Sequence, residues 1–150
     1  MSRHEDANEL AESNRHLSAI YFHGYAVEMC LTAAVFRALD WKANDPIDRD
    51  TRHRRMVQAR KQDDIDGDKV MSSDPHPLVG WARYLRWLRS TSDASPKGDV
   101  DRLEEAIRQA ATVYRHWRPE LRYKLRDVEN RQLVEVRRAT GWFIQQIGSL

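Results

Sequence analysis

The run LSAIYFHGYAVEMCLTAAVF, residues 17 to 36, constrains the fold of this chain more than any other segment. Wound as a helix it is apolar on every side, except for one carboxylate, Glu28, and one imidazole, His23. Helical spacing sets Tyr21, Gly24, Tyr25, Leu31 and Val35 around Glu28, so aromatic and aliphatic groups frame the acid in place of water. A helix with no polar face has to be enclosed by other elements, and a carboxylate inside that enclosure is costly unless it is paired or protonated. The expectation is therefore a central core helix with an ion in its packed face. The run is long enough to raise a membrane span. The central His23 and Glu28, and the ordinary amphipathic patterns elsewhere, argue instead for a core helix.

Elements that could enclose such a helix are legible on both sides of it. A first helix is expected over residues 2 to 12, with Ser13-Asn14 as a break before the long helix, which should reach about Leu39. Residues 41 to 74 hold a basic run, RDTRHRRMVQARK, and then an acidic one, DDIDGD. With Ile47, Met56 and Val57 as the main apolar anchors, the first half reads as a short helix and the second as a solvated loop. Pro77 suits a first helical turn, where its missing N–H costs nothing, and Leu78, Trp81, Leu85 and Leu88 follow as a stripe. After a Ser/Pro/Gly-rich loop at 90 to 98, Val100, Leu103, Ile107, Ala110, Tyr114 and Trp117 repeat at heptad spacing. Glu104 and Arg108 stand opposite that stripe, in register for an i,i+4 pair. Pro119 should end that helix, and a last one, about 128 to 147, carries Leu133, Val136, Thr140, Phe143 and Ile147 on one side. No period-two pattern survives, so the fold class is all-α: an up-and-down bundle of five to six helices, residues 1 to 150 forming one domain.

Composition narrows the chemistry mainly by exclusion. A net charge of +2 does not mark the whole molecule as a nucleic-acid binder. The single cysteine, Cys30, lies on the apolar helix and has no intramolecular partner, which, with a charged start lacking an apolar leader, gives a cytoplasmic expectation. No two histidines stand at i,i+3 or i,i+4, so no zinc site is expected. The run Asp64-Ile65-Asp66-Gly67-Asp68 has its glycine too early for a calcium loop and no glutamate at the closing position. No phosphate loop or nucleophile elbow is present, and no cofactor is expected. His23 reads as a core histidine satisfied by one hydrogen bond.

Two segments in this order carry a family resemblance: Tyr21-Phe22-x-Gly24-Tyr25-Ala26-Val27-Glu28-x-Cys30-Leu31-x-Ala33, and Trp117-x-Pro119-Glu120-Leu121-Arg122-Tyr123. With the helix entry Asp74-Pro75-His76-Pro77-Leu78, the chain resembles bacterial HEPN-domain proteins from about Leu10 to Ile147. The resemblance implies a compact helical bundle that dimerises, handles nucleotide or RNA, and works in toxin–antitoxin or nucleotidyltransferase-linked systems. It also brings Arg122 near the long helix and so implies a structural ion pair between Glu28 and Arg122.

Catalytic members of that family use an arginine followed, after four to six residues, by a histidine. None of His4, His16, His23, His53, His76 and His116 stands so, and the corresponding positions beyond Arg122 are Asp127, Val128 and Glu129. The general acid–base group of the ribonuclease is absent, so no catalytic residue is assigned. There remains a basic, aromatic-interleaved patch, Arg118, Arg122, Tyr123, Lys124 and Arg126, suited to phosphates and a stacked base, beside a Trp117 that reads as core. Arg83, Arg86 and Trp87, with Tyr84 and Arg89, form a secondary basic face. The expected function is non-catalytic binding of nucleotide or RNA by a homodimer. The alternatives are a noncanonical ribonuclease or toxin component using Arg122 with Glu28 or Asp127, and a purely protein-binding accessory module, for instance of a nucleotidyltransferase.

Overall fold

The computed structural model describes residues 3–42, 45–64, 67–91, 98–118, 121, 128–146, 148 and 150. Six helices account for most of them: α1 (Arg3–Glu12), α2 (His16–Ala38), α3 (Arg49–Ala59), α4 (Leu78–Ser90), α5 (Gly98–His116) and α6 (Asn130–Gln146). No strand occurs among the described residues, only an isolated bridge between Asp63 and Lys69. The architecture is an all-α helical bundle. Within the 150 residues read as one domain, two compact units form: Met1–Cys30 with Arg108–Leu150, and Leu31–Ile107.

Helix ends follow local chemistry. Asn14 and Asp40, both at left-handed backbone angles (φ 56 and 59), close α1 and α2. In each case the next amide reaches back five residues, Arg15 to Leu10 and Trp41 to Phe36, while the capping residue's own amide bonds three back. These are Schellman closures built on short polar residues that tolerate the left-handed region. At the end of α2 the accompanying apolar contact is aromatic: the Phe36 and Trp41 rings meet edge-on at 5.3 Å. Asp48 begins α3 by accepting the Thr51 amide at 2.7 Å. That hydrogen bond, the largest cause, holds the Asp48 carboxyl below its ordinary pKa.

In the first unit the core is made by α2 with parts of α5 and α6. Ala19, Ile20, Ala26 and Val27 of α2, Ala110 and Val113 of α5, and Leu133, Val136 and Phe143 of α6 are all buried. Trp117, one residue past α5, is fully buried, and its indole N–H donates to the Tyr21 carbonyl at 3.0 Å. Its ring lies against Tyr25, centroids 5.4 Å apart. This seating depends on Gly24, since a methyl group at residue 24 would overlap Cδ1, Cγ and Nε1 of the indole.

The second unit packs α4 against its neighbours through Leu78, Trp81, Ala82 and Leu85, all fully buried together with Leu31, Val35 and Phe36 at the end of α2. Gly80 lets the chain at Met71 approach, with Met71 Cγ 3.0 Å from where its Cβ would stand. Arg60 ties the preceding loop down by donating to the carbonyls of Ser72, Ser73 and Asp74.

Three expectations are corrected here. Of the anchors expected in the 41–74 stretch, only Met56 is buried, while Ile47 and Val57 are exposed; the true anchors are Ala59, Val70 and Met71. The acidic segment is accordingly not a solvated loop throughout. The α5 stripe is rotated: Val100 is 55% exposed, and the buried line runs Leu103, Ala106, Ala110, Val113, Trp117. Glu104 reaches Arg86 of α4.

Gly24→Ala tests the central contact. Alanine ordinarily favours a helix interior by about 1 kcal/mol over glycine. Overpacking against a closed ring costs about 1–3 kcal/mol or more, so net destabilisation in urea unfolding is expected. A stabilised Gly24→Ala variant would show that the indole does not sit in this notch.

Candidate functional site

The end of α5 in the first unit carries the described part of the expected binding patch. Trp117 is core, as its burial requires, and it fixes the backbone from which Arg118 departs. The Arg118 guanidinium carbon stands 3.8 Å over the Tyr114 ring, a cation–π contact. Its Nη1 donates to the carbonyls of Tyr114 and Trp117, the latter at 2.7 Å. These bonds use one terminal nitrogen of the guanidinium and cap α5 at its negative end. The edge formed by Nε and Nη2 makes no hydrogen bond among the described residues. Such an edge is the two-donor fork that matches a phosphate or carboxylate.

Arg122, Tyr123, Lys124 and Arg126, the rest of that patch, lie outside the described residues, as does Asp127. Glu28 is buried at 5% exposure on α2, as its framing by aromatic and aliphatic side chains implies. Glu135 of α6 takes a hydrogen bond with His116 at 2.9 Å and a second from Arg131 at 3.2 Å. Those contacts, His116 first, hold the Glu135 carboxyl below its ordinary pKa.

A second cluster in the same unit was read from sequence only in part. His23 is fully buried in α2, and its ring lies 5.4 Å from that of His4 on α1. Asn8, one turn along α1, places its amide nitrogen 3.3 Å from His4 Nε2. Nδ1 of His4, Oδ1 of Asn8 and both ring nitrogens of His23 are buried without a hydrogen-bond partner among the described residues. The expected satisfying bond to His23 is thus absent there. Burial, then His4, then Arg137 on α6 depress the His23 pKa to about 4. His4 is lowered too, by burial and Arg137 against the opposing pull of Glu5. A neutral imidazole pair with a nearby guanidinium is a poor cation site, and no group of three or more His, Cys, Asp or Glu side chains among the described residues could hold a metal.

The secondary face on α4, in the second unit, is corrected most clearly. Tyr84 and Arg86 are buried, so Arg83, Arg86 and Trp87 do not make one outward basic face. Arg86 Nη2 lies 2.5 Å from Asp64 Oδ2, and its Nη1 contacts Glu104. Burial works against its charge, but the hydrogen bonds to Glu104 and Asp64 outweigh it and the pKa is raised. Arg83 stands 3.9 Å from both Asp64 and Asp68. Asp64 is held in a turn closed by its amide to Asp68 (2.7 Å) and by the Gly67 amide to its carbonyl (2.9 Å), with Gly67 at φ +78. Only glycine adopts that angle without strain. Trp87 stacks on Tyr84 at 5.8 Å.

Comparison with protein-family models, curated proteins and solved structures finds no match to this chain. By length and apolar content α2 is one helix capable of crossing a membrane, and 72% of its most apolar window is buried inside the protein.

His23 gives a signed pH prediction. Its folded pKa of about 4 lies below the ordinary 6.5, so between those values the unfolded chain binds a proton that the folded chain does not. Stability is full above the upper value and is lost as pH falls toward the lower. Roughly 2 kcal/mol should disappear between about pH 7 and pH 5. Chemical denaturation across that range should show the loss, and His23→Leu should flatten it. An equally steep profile in His23→Leu would place the sensitivity elsewhere.

Proposed function

We propose that this is a HEPN-like protein that binds nucleotide or RNA without cleaving it. The observation that carries this reading is Arg118, stacked on Tyr114 and anchored through Nη1, with Nε and Nη2, the two donors of a phosphate fork, making no hydrogen bond among the described residues. The next stretch of sequence adds Arg122, Tyr123, Lys124 and Arg126, cations and a ring of the kind that neutralise phosphate and stack a base. The non-catalytic part rests on the missing arginine–histidine pair and on the placement of the first unit's described histidines. His23 is enclosed and His116 is engaged by Glu135. A general acid–base group contributes about two to four orders of magnitude in rate, and the family's histidine for that role is missing from the sequence after Arg122.

The proposed state is a homodimer formed through α2, as in toxin–antitoxin or nucleotidyltransferase-linked proteins of the family resembled. Met29 supports it. It is 59% exposed in the middle of an otherwise enclosed helix, with half-buried Phe22 and Tyr25 on the same face. Sedimentation at micromolar concentration should report a species near twice 17.6 kDa, reduced to the monomer by Met29→Glu. A monomeric parent protein would remove the dimer from the proposal.

Binding is tested with purified protein, short single-stranded RNAs and a nucleotide panel. The protein should leave the RNA intact while binding it with an affinity that falls steeply with salt. Replacing Arg118, Lys124 and Arg126 together by Ala should abolish binding at this patch while leaving helicity unchanged. Metal-free cleavage lost on Arg122→Ala would overturn the non-catalytic reading.

A further inference from the structure

We infer that α1 is an acid-released latch: it stays docked on the first unit while His4 and His23 are uncharged, and protonation at that contact frees it with α2, α5 and α6 still folded. The contact joins two helices of the same unit. His4 stands on α1 and the fully buried His23 on α2, their ring centroids 5.4 Å apart and their planes inclined at 54°. Apolar burial adds little to it. Ala7 is the one buried side chain of α1, and Arg3, itself exposed, lies over the half-buried Phe22 ring at 5.4 Å.

Docking leaves this polar contact poorly satisfied. His4 Nδ1, Asn8 Oδ1 and both ring nitrogens of His23 are buried with no hydrogen-bond partner among the described residues. Release of α1 would give all four to water, so their burial works against docking even when both rings are neutral. A second proton on His23 sharpens the conflict. The ring would then carry two N–H donors, neither with an acceptor among the described residues.

The charges around the pair set the direction of the response. Arg137 of α6 opposes a proton on either ring, and a charge on His4 opposes one on His23. Glu5 on α1 favours charge on His4 alone and is outweighed by burial and Arg137. Among the described residues no group of α5, and no other group of α2, acts on either ring. Opening returns His23 from about 4 to the ordinary 6.5, so between those values the open form binds a proton that the docked form does not. Acid therefore favours opening, by about twentyfold or more in the equilibrium from about pH 7 to pH 5. With 10 residues, α1 is shorter than an isolated helix stable in water, roughly 12–15 residues, so on release it unwinds.

The test is amide hydrogen exchange of the whole protein at about pH 7 and pH 5, resolved by peptide and corrected for the intrinsic effect of pH on exchange. Protection of the α1 amides should fall about twentyfold or more, while those of α5 and α6 keep theirs. His23→Leu should remove the fall. Arg137→Gln changes an exposed side chain and should shrink the fall, because a charged imidazole would then meet one cation fewer; it keeps the inference testable should His23→Leu not fold. Protection of α1 that is the same at both pH values overturns the inference, as does a loss shared equally by α1, α5 and α6. A fall undiminished in a folded His23→Leu variant, or in Arg137→Gln, overturns it as well.

Discussion

Trp117 can enter the first unit because residue 24 has no side chain. The notch on α2 accepts the indole face, the Tyr21 carbonyl takes its N–H, and the Tyr25 ring closes against its edge. Burying so large a ring with its one polar group satisfied is among the strongest single contributions a small core can have. It also fixes the chain at the end of α5. With Trp117 fixed, Arg118 can reach back to the last carbonyls of α5 and lie on Tyr114, with Nε and Nη2 making no hydrogen bond among the described residues. The stability of the core and the anchoring of the candidate phosphate fork are consequences of the same contact.

The elements that were legible in the sequence are those whose signal is local. The enclosure of α2 followed from its having no polar side, and the start of α4 and the break at Asn14 followed from the local signals of Pro77 and Ser13-Asn14. The rotated α5 stripe shows where that reading fails. Ala106 and Ala110 mark the closest packing line, yet alanine carries little apolar signal, whereas Val100 carries much and is exposed near the helix start. The acidic loop fails for a different reason. Its composition reads as solvated, and the partner that draws Asp64 inside, Arg86, is 22 residues away.

Buried polarity was equally divided between what could and could not be read. Glu28 announced itself as the one acid within an apolar run. His23 was recognised as a core residue, but its neighbour was not, because His4 reaches it from another helix. The pair is tolerated by a route different from that of Arg86. Arg86 keeps its charge through two carboxylates, while His23 gives its charge up, burial and Arg137 making the neutral ring the stable form.

That contrast bears on how basic residues indicate function. By sequence, Arg83, Arg86 and Trp87 look as suitable for a polyanion as the α3 run does, since both alternate cations with larger side chains. In both, what counts is where the carboxylates go. Asp64 and Glu104 are committed to Arg86, with Asp68 near Arg83, so α4 presents little uncompensated charge. On α3 the exposed Arg54 has carboxylates of its own, Asp48, whose charge it feels, and Asp50 one turn before it. A basic run in a sequence is therefore no measure of uncompensated charge, because the carboxylates that answer it stand 18 and 22 residues away, as for Arg86, or in its own capping turn, as for Arg54.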